Sequence, residues 1–155
     1  MDDSRQKALV TAANVLTYKN RSSQALYDRL IEKEISPEDA AYAVARLIEL
    51  GFLNDARYAE DLVSACRAKG WGKSRIRQEL RKKAVDQDLA DSLLEDFEPD
   101  YDKMKRLLAA KLRGDGPFEP RDIKRAADSL ARRGFSWEQI KRALSEYTEQ
   151  LEENE

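Results

Sequence analysis

Apolar residues recur along this chain in steps of three and four, with polar residues between them, rather than in strict alternation. That spacing predicts helices with one buried face. Leu9, Ala12, Ala13 and Leu16 mark one such stretch; Tyr58, Ala59, Leu62 and Cys66 mark a second, and Leu107, Leu108, Lys111 and Leu112 a third. The pattern also repeats on a longer scale. At an offset of 50, Leu30, Leu80 and Leu130 fall into register, followed by Ile35, Val85 and Phe135, then Ala40, Ala90 and Ile140, then Val44, Leu94 and Leu144. A repeat of this kind fixes the architecture before any single element is assigned.

Ser36, Asp86 and Ser136 align just after the second helix of each copy, where a short side-chain oxygen can cap the next helix. Asp39 and Gln139, three residues after their serines, suit a capping box, and Pro37 suits a first helical position. Helix starts are expected near Asp2, Ser22, Ser36, Asn54, Gly72, Asp86, Asp100, Pro120 and Ser136. The predicted fold is therefore all-α, with about nine helices in three tandem three-helix repeats over residues 1–52, 53–98 and 99–150. GDGPFEP, Gly114 to Pro120, reads as a loop, and the acidic end at 151–155 is expected to fray. A unit of about fifty residues buries little surface alone, so the copies are expected to stack into an elongated or curved array.

Composition removes much of enzymology. The chain has one cysteine and no histidine, so it lacks a disulfide framework, the commonest metal ligand and the usual near-neutral base. Cys66 shares a helical face with Leu62 and is expected in the core. The GKS in GWGKS lacks the spacing of a phosphate-cradling loop, and the acidic pairs sit at helix starts, where they favour the dipole. No metal or cofactor is expected. The acidic N-terminus and the absence of a long apolar run point to a cytoplasmic chain with no membrane partner.

Charge sharpens the picture, because it is sorted into blocks. Residues 51–83 hold nine basic and four acidic groups, 84–102 hold eight acids and no base, and 103–142 hold twelve bases and five acids. Within the first of these, AKGWGKSRIRQELRKK carries seven cations and one acid. On a helix, Ile76 and Leu80 would face inward while Lys73, Arg77 and Arg81 form a row four residues apart, with Arg75, Lys82 and Lys83 beside it. Lys124, Arg125, Arg132 and Arg133 repeat the theme in the third copy, partly balanced by Asp122 and Asp128. These ten cations are the candidate contacts for DNA or an acidic partner. Trp71 could stack on a base or pack over its helix, whereas Trp137 is expected to pack.

Several stretches together, in order and spacing, carry a family resemblance: NRSSQALYDRL, LIELGFLNDARYAEDLV, RAKGWGKSRIRQELRKKAV and LARRGFSWEQIKRAL. From about Lys7 to Tyr147 the chain resembles RecX, small regulatory proteins that modulate the RecA recombinase. Two departures stand out: Asn54–Asp55 where the family usually has two aspartates, and Ala84 where it usually has glycine. Asn54 can still cap its helix. The resemblance implies a monomeric, non-enzymatic regulator in recombination, repair and the SOS response. Such a protein binds the RecA–DNA filament and inhibits its strand-exchange, ATPase and coprotease activities. It also implies weak direct binding to single- and double-stranded DNA. A helix, tight turn and helix would also suit a helix-turn-helix DNA-binding protein, although the helices after Ser36 and Asp86 carry few bases. A helical scaffold with no nucleic-acid role is the third reading.

Overall fold

The computed structural model describes residues 3–153. Among these, nine helices and no strand are found: α1 (Asp3–Tyr18), α2 (Ser23–Glu32), α3 (Pro37–Glu49), α4 (Asp55–Ala68), α5 (Lys73–Lys82), α6 (Gln87–Leu94), α7 (Tyr101–Leu112), α8 (Pro120–Arg132) and α9 (Trp137–Glu153). The expected cap chemistry sets where helices begin. Ser36 Oγ accepts from the Asp39 amide at 3.2 Å, Asp86 from Leu89 at 3.2 Å and Asn54 from Arg57 at 3.1 Å. At Ser136 the capping box is complete, because the Gln139 amide side chain accepts in return from the Ser136 N–H at 3.1 Å. The expected start at Asp2 lies outside the described residues.

The tight turn after the second helix recurs in all three copies. Ile35, Val85 and Phe135 each donate their amide to the carbonyl five residues back, at Leu30, Leu80 and Leu130. Closing such a turn needs a left-handed residue just before the donor. Glu34, Ala84 and Gly134 supply it, with φ of 66°, 59° and 97°. The departure at Ala84 thus keeps the turn and carries backbone strain that glycine would not.

Contacts divide the chain into two compact units, 1–62 with 80–92 and 63–79 with 93–155, a division that passes through α4, α5 and α6. In the first unit α1 packs on α2 and α3. Its core joins Ala8, Ala12 and Val15 to Leu26, Leu30, Ala40, Ala43, Leu47 and Leu53. The buried stripe of α1 is Ala8–Ala12–Val15, while Ala13 is exposed. The adjacent alanines at 12 and 13 left the phase of that helix ambiguous, and the four-residue step from Ala8 to Ala12 decides it.

In the second unit α7 packs on α8 and α9 around Met104, Leu108, Leu112, Ala126, Ala127, Leu130, Ile140, Ala143 and Tyr147. Here Met104 joins Leu108 and Leu112 on the buried face and Lys111 lies outside. Leu151 also packs against this core, so α9 continues into the segment expected to fray, as far as Glu153. Asn154 and Glu155, the rest of that segment, lie outside the described residues. At the first aligned position of the repeat the three residues share a fate: Leu30 and Leu80 are fully buried and Leu130 almost so. Truncating any one to alanine would cost about 2–5 kcal/mol. Among the described residues no helix is long and apolar enough to cross a membrane.

Candidate functional site

The basic stretch of the central copy is built around two glycines. A Cβ on Gly72 would lie 2.4 Å from the Gly134 carbonyl carbon, and one on Gly70, at φ +83°, would lie 2.9 Å from Leu107. The Gly72 amide donates to the Arg133 carbonyl at 2.7 Å, and the Ser74 amide to the Gly134 carbonyl at 3.3 Å. GWG is therefore a close backbone approach between the second and third copies, not a phosphate loop. Trp71, held between these glycines, is half-buried, and the Arg75 guanidinium lies over its ring at 3.9 Å, with the Lys69 ammonium at 5.5 Å.

This junction brings together cations far apart in sequence. Arg133 is half-buried and donates to the Lys69 carbonyl at 3.1 Å. The backbone and Cβ of Arg75 lie directly against Gly134. Two of the ten candidate cations thus take part in holding the junction together. Lys73 and Arg77 are half-buried on the same helix. In the third copy Lys124 is neutralised by Asp128 at 2.8 Å, while Arg125 and Arg132 are exposed.

Arg81, Lys82 and Lys83 belong to the first unit. Arg81 and Lys82 are exposed, but Lys83 is half-buried and its carbonyl accepts from Ser22 Oγ at 2.9 Å. Ser22, fully buried, also caps α2 by accepting from the Ala25 amide at 3.1 Å. Beside it, Asp55 accepts from the Ser23 amide at 2.7 Å and from the Ser23 hydroxyl. A carboxylate at a helix N-terminus is favoured by the exposed N–H groups there. The sequence marked Ser22 only as a helix start and Asp55 only beside Asn54; the signal for the Ser22–Lys83 contact was that Ser22 aligns with Gly72, and Lys83 with Arg133, at the repeat offset.

The remaining chemistry is sparse. Burial pushes the Cys66 thiol up, with Glu79 raising it further and Lys69 and Arg75 opposing, a setting that disfavours the nucleophilic thiolate. No group of His, Cys, Asp or Glu among the described residues could hold a metal ion. Trp137 does not pack as expected: it is 64% exposed, at the edge of an apolar cavity with Ile123, Ala127 and Leu144. Its place on the first turn of α9 turns the ring outward from the core that Ile140 and Ala143 enter. The exposed cations can attract anionic groups, and nothing beside them supplies a nucleophile with its base.

Comparison with known proteins places this arrangement. The family models for the first, second and third three-helix domains of RecX match residues 8–47, 54–94 and 98–144. A regulatory protein RecX of Trichlorobacter lovleyi is 36% identical over 132 residues, covering 81% of this chain and 86% of that protein. One of Stenotrophomonas maltophilia is 34% identical over 139 residues, covering 89% and 85%. The crystal structure of RecX from Lactobacillus salivarius superposes with a TM-score of 0.85 at 24% identity, covering 95% of this chain and 98% of that one, a likeness of fold. Three matched three-helix domains in order, with relatives above 30% identity over most of the length, show that the chain belongs to the RecX family of non-enzymatic regulatory proteins.

Proposed function

We propose that this protein binds the RecA–DNA filament and restrains the recombinase, lowering its ATPase, strand-exchange and coprotease activities without turnover of its own. Family membership is the observation that carries the reading, since it brings RecA as the expected partner. Exposed Arg81, Lys82, Arg125 and Arg132 support it as the cations that meet DNA phosphate or acidic filament surface. Arg75 and Arg133 act chiefly by shaping their own surface, because both are already engaged by Trp71 and the Lys69 carbonyl. Lys73, Arg77, Lys83 and Lys124 are secondary contacts on the same argument.

The test is co-sedimentation with preformed RecA filaments at two salt concentrations. The wild-type chain pellets with filaments and is released as salt rises, because phosphate contacts release counterions when they form. Arg81→Glu/Lys82→Glu/Arg125→Glu/Arg132→Glu, which alters only exposed positions, stays in the supernatant. Pelleting of that folded variant at wild-type levels would remove these faces from the mechanism.

A further inference from the structure

The first repeat, whose overall charge is nearly balanced, contains a cationic cavity that the block pattern conceals. It measures about 360 Å³ and is lined by Thr11, Asn14 and Tyr18 of α1, Arg21 of the link, and Arg29 and Lys33 at the end of α2. Three cations and no acid face this space. Glu32 already holds one arm of Arg29 at 2.9 Å, which leaves Arg21 and Lys33 as the principal sources of positive charge. The Arg21 Nε is buried and has no hydrogen-bond partner, an arrangement that folded proteins rarely leave without purpose. At the mouth stands Tyr18, 91% exposed, at the last position of α1.

A cavity of this size, with cations on one wall and an exposed aromatic ring at its mouth, combines the two elements that hold a nucleotide. We propose that it binds one nucleotide unit: the phosphate against Arg21 and Lys33, the base on the face of Tyr18, with the Asn14 amide able to donate to or accept from the base edge. An acidic peptide would use the cations alone and would leave the ring and the amide without a role. The site lies wholly within residues 11–33, none of the cations assigned above to filament binding lines it, and it does not depend on that assignment. The shared ligand chemistry, phosphate plus base, has two sources: a free nucleotide, or a nucleotide within or at the end of a single strand.

Nitrogen-15 NMR on the full chain tests the proposal, with thymidine 5′-monophosphate, thymidine, inorganic phosphate, a polyglutamate peptide, and short oligothymidylates with and without a 5′-phosphate as probes. Thymidine 5′-monophosphate is expected to shift the amides of Asn14, Tyr18, Arg21 and Lys33 saturably, and thymidine to bind at least about tenfold more weakly, since it lacks the group that the cations hold. Tyr18→Ala, at an exposed position that the core does not need, weakens binding of the monophosphate at least about fivefold and leaves inorganic phosphate unchanged. Lys33→Ala weakens both. Tighter binding of an oligothymidylate than of the monophosphate assigns the site to a strand, dependence on its 5′-phosphate assigns it to a strand end, and the reverse order assigns it to a free nucleotide. The proposal is overturned if no probe shifts these amides saturably, if Tyr18→Ala binds the monophosphate like wild type, or if polyglutamate binds as tightly as the monophosphate.

Discussion

The two junctions between successive repeats occupy equivalent places in the sequence and are closed by different chemistry. In the first, Ser22 reaches the Lys83 carbonyl with its hydroxyl while capping α2, and the turn residue is Ala84. In the second, Gly72 meets the Arg133 carbonyl with its own amide, and the turn residue is Gly134. The repeat offset of 50 relates each pair, Ser22 to Gly72 and Lys83 to Arg133. Where the serine stands, a side chain spans the gap; where the glycine stands, the backbones close directly. The second solution leaves no space for a Cβ, and it sets Trp71, Arg75 and Arg133 side by side. One architectural step thus tolerates two sequences, and the one closed by glycine gathers Arg75 and Arg133 at the same junction.

The sharpest way to break this comparison is to add a methyl group at the second junction. Gly134→Ala places a Cβ 2.5 Å from the Arg75 amide at a φ of +97°, and Gly72→Ala places one 2.4 Å from the Gly134 carbonyl carbon. Each is expected to cost roughly 3 kcal/mol in urea unfolding, from overpacking against backbone and, for Gly134, left-handed strain as well. Ser22→Ala is expected to cost less, about 2 kcal/mol by the same measurement, since it deletes one cap and one buried hydrogen bond without a clash. Ala84→Gly has the opposite sign: relief of a left-handed alanine should raise stability by about 1 kcal/mol. Smallest is Arg75→Ala, for which loss of the contact with Trp71 should cost about 0.5–1 kcal/mol.

Much of this was legible in the sequence, for identifiable reasons. Caps and repeat positions are local or periodic: Ser36, Asp86 and Ser136 announce their helices, and Leu30, Leu80 and Leu130 announce one buried position three times over. The phase of α1 was harder, because adjacent alanines at 12 and 13 give no contrast in size or polarity. The approach of Gly72 to Gly134 joins residues 62 apart, which no short-range pattern reports. Trp137 was misjudged because its residue type speaks for burial, whereas its position on the first turn of α9 puts it outside. The basic block was visible as charge, but which of its members are already engaged became clear only when Trp71 and the Lys69 carbonyl were seen to hold Arg75 and Arg133.

That distinction between engaged and exposed cations is what the functional account rests on. The most direct test is the rate of ATP hydrolysis by RecA on single-stranded DNA as this protein is added, comparing wild type with Arg81→Glu/Lys82→Glu/Arg125→Glu/Arg132→Glu. Wild type is expected to slow hydrolysis in a concentration-dependent way, and the variant to need at least about tenfold more protein for the same effect, four reversed charges being worth more than about 1.4 kcal/mol in contacts. Equal inhibition by the two, with the variant folded, would contradict the account.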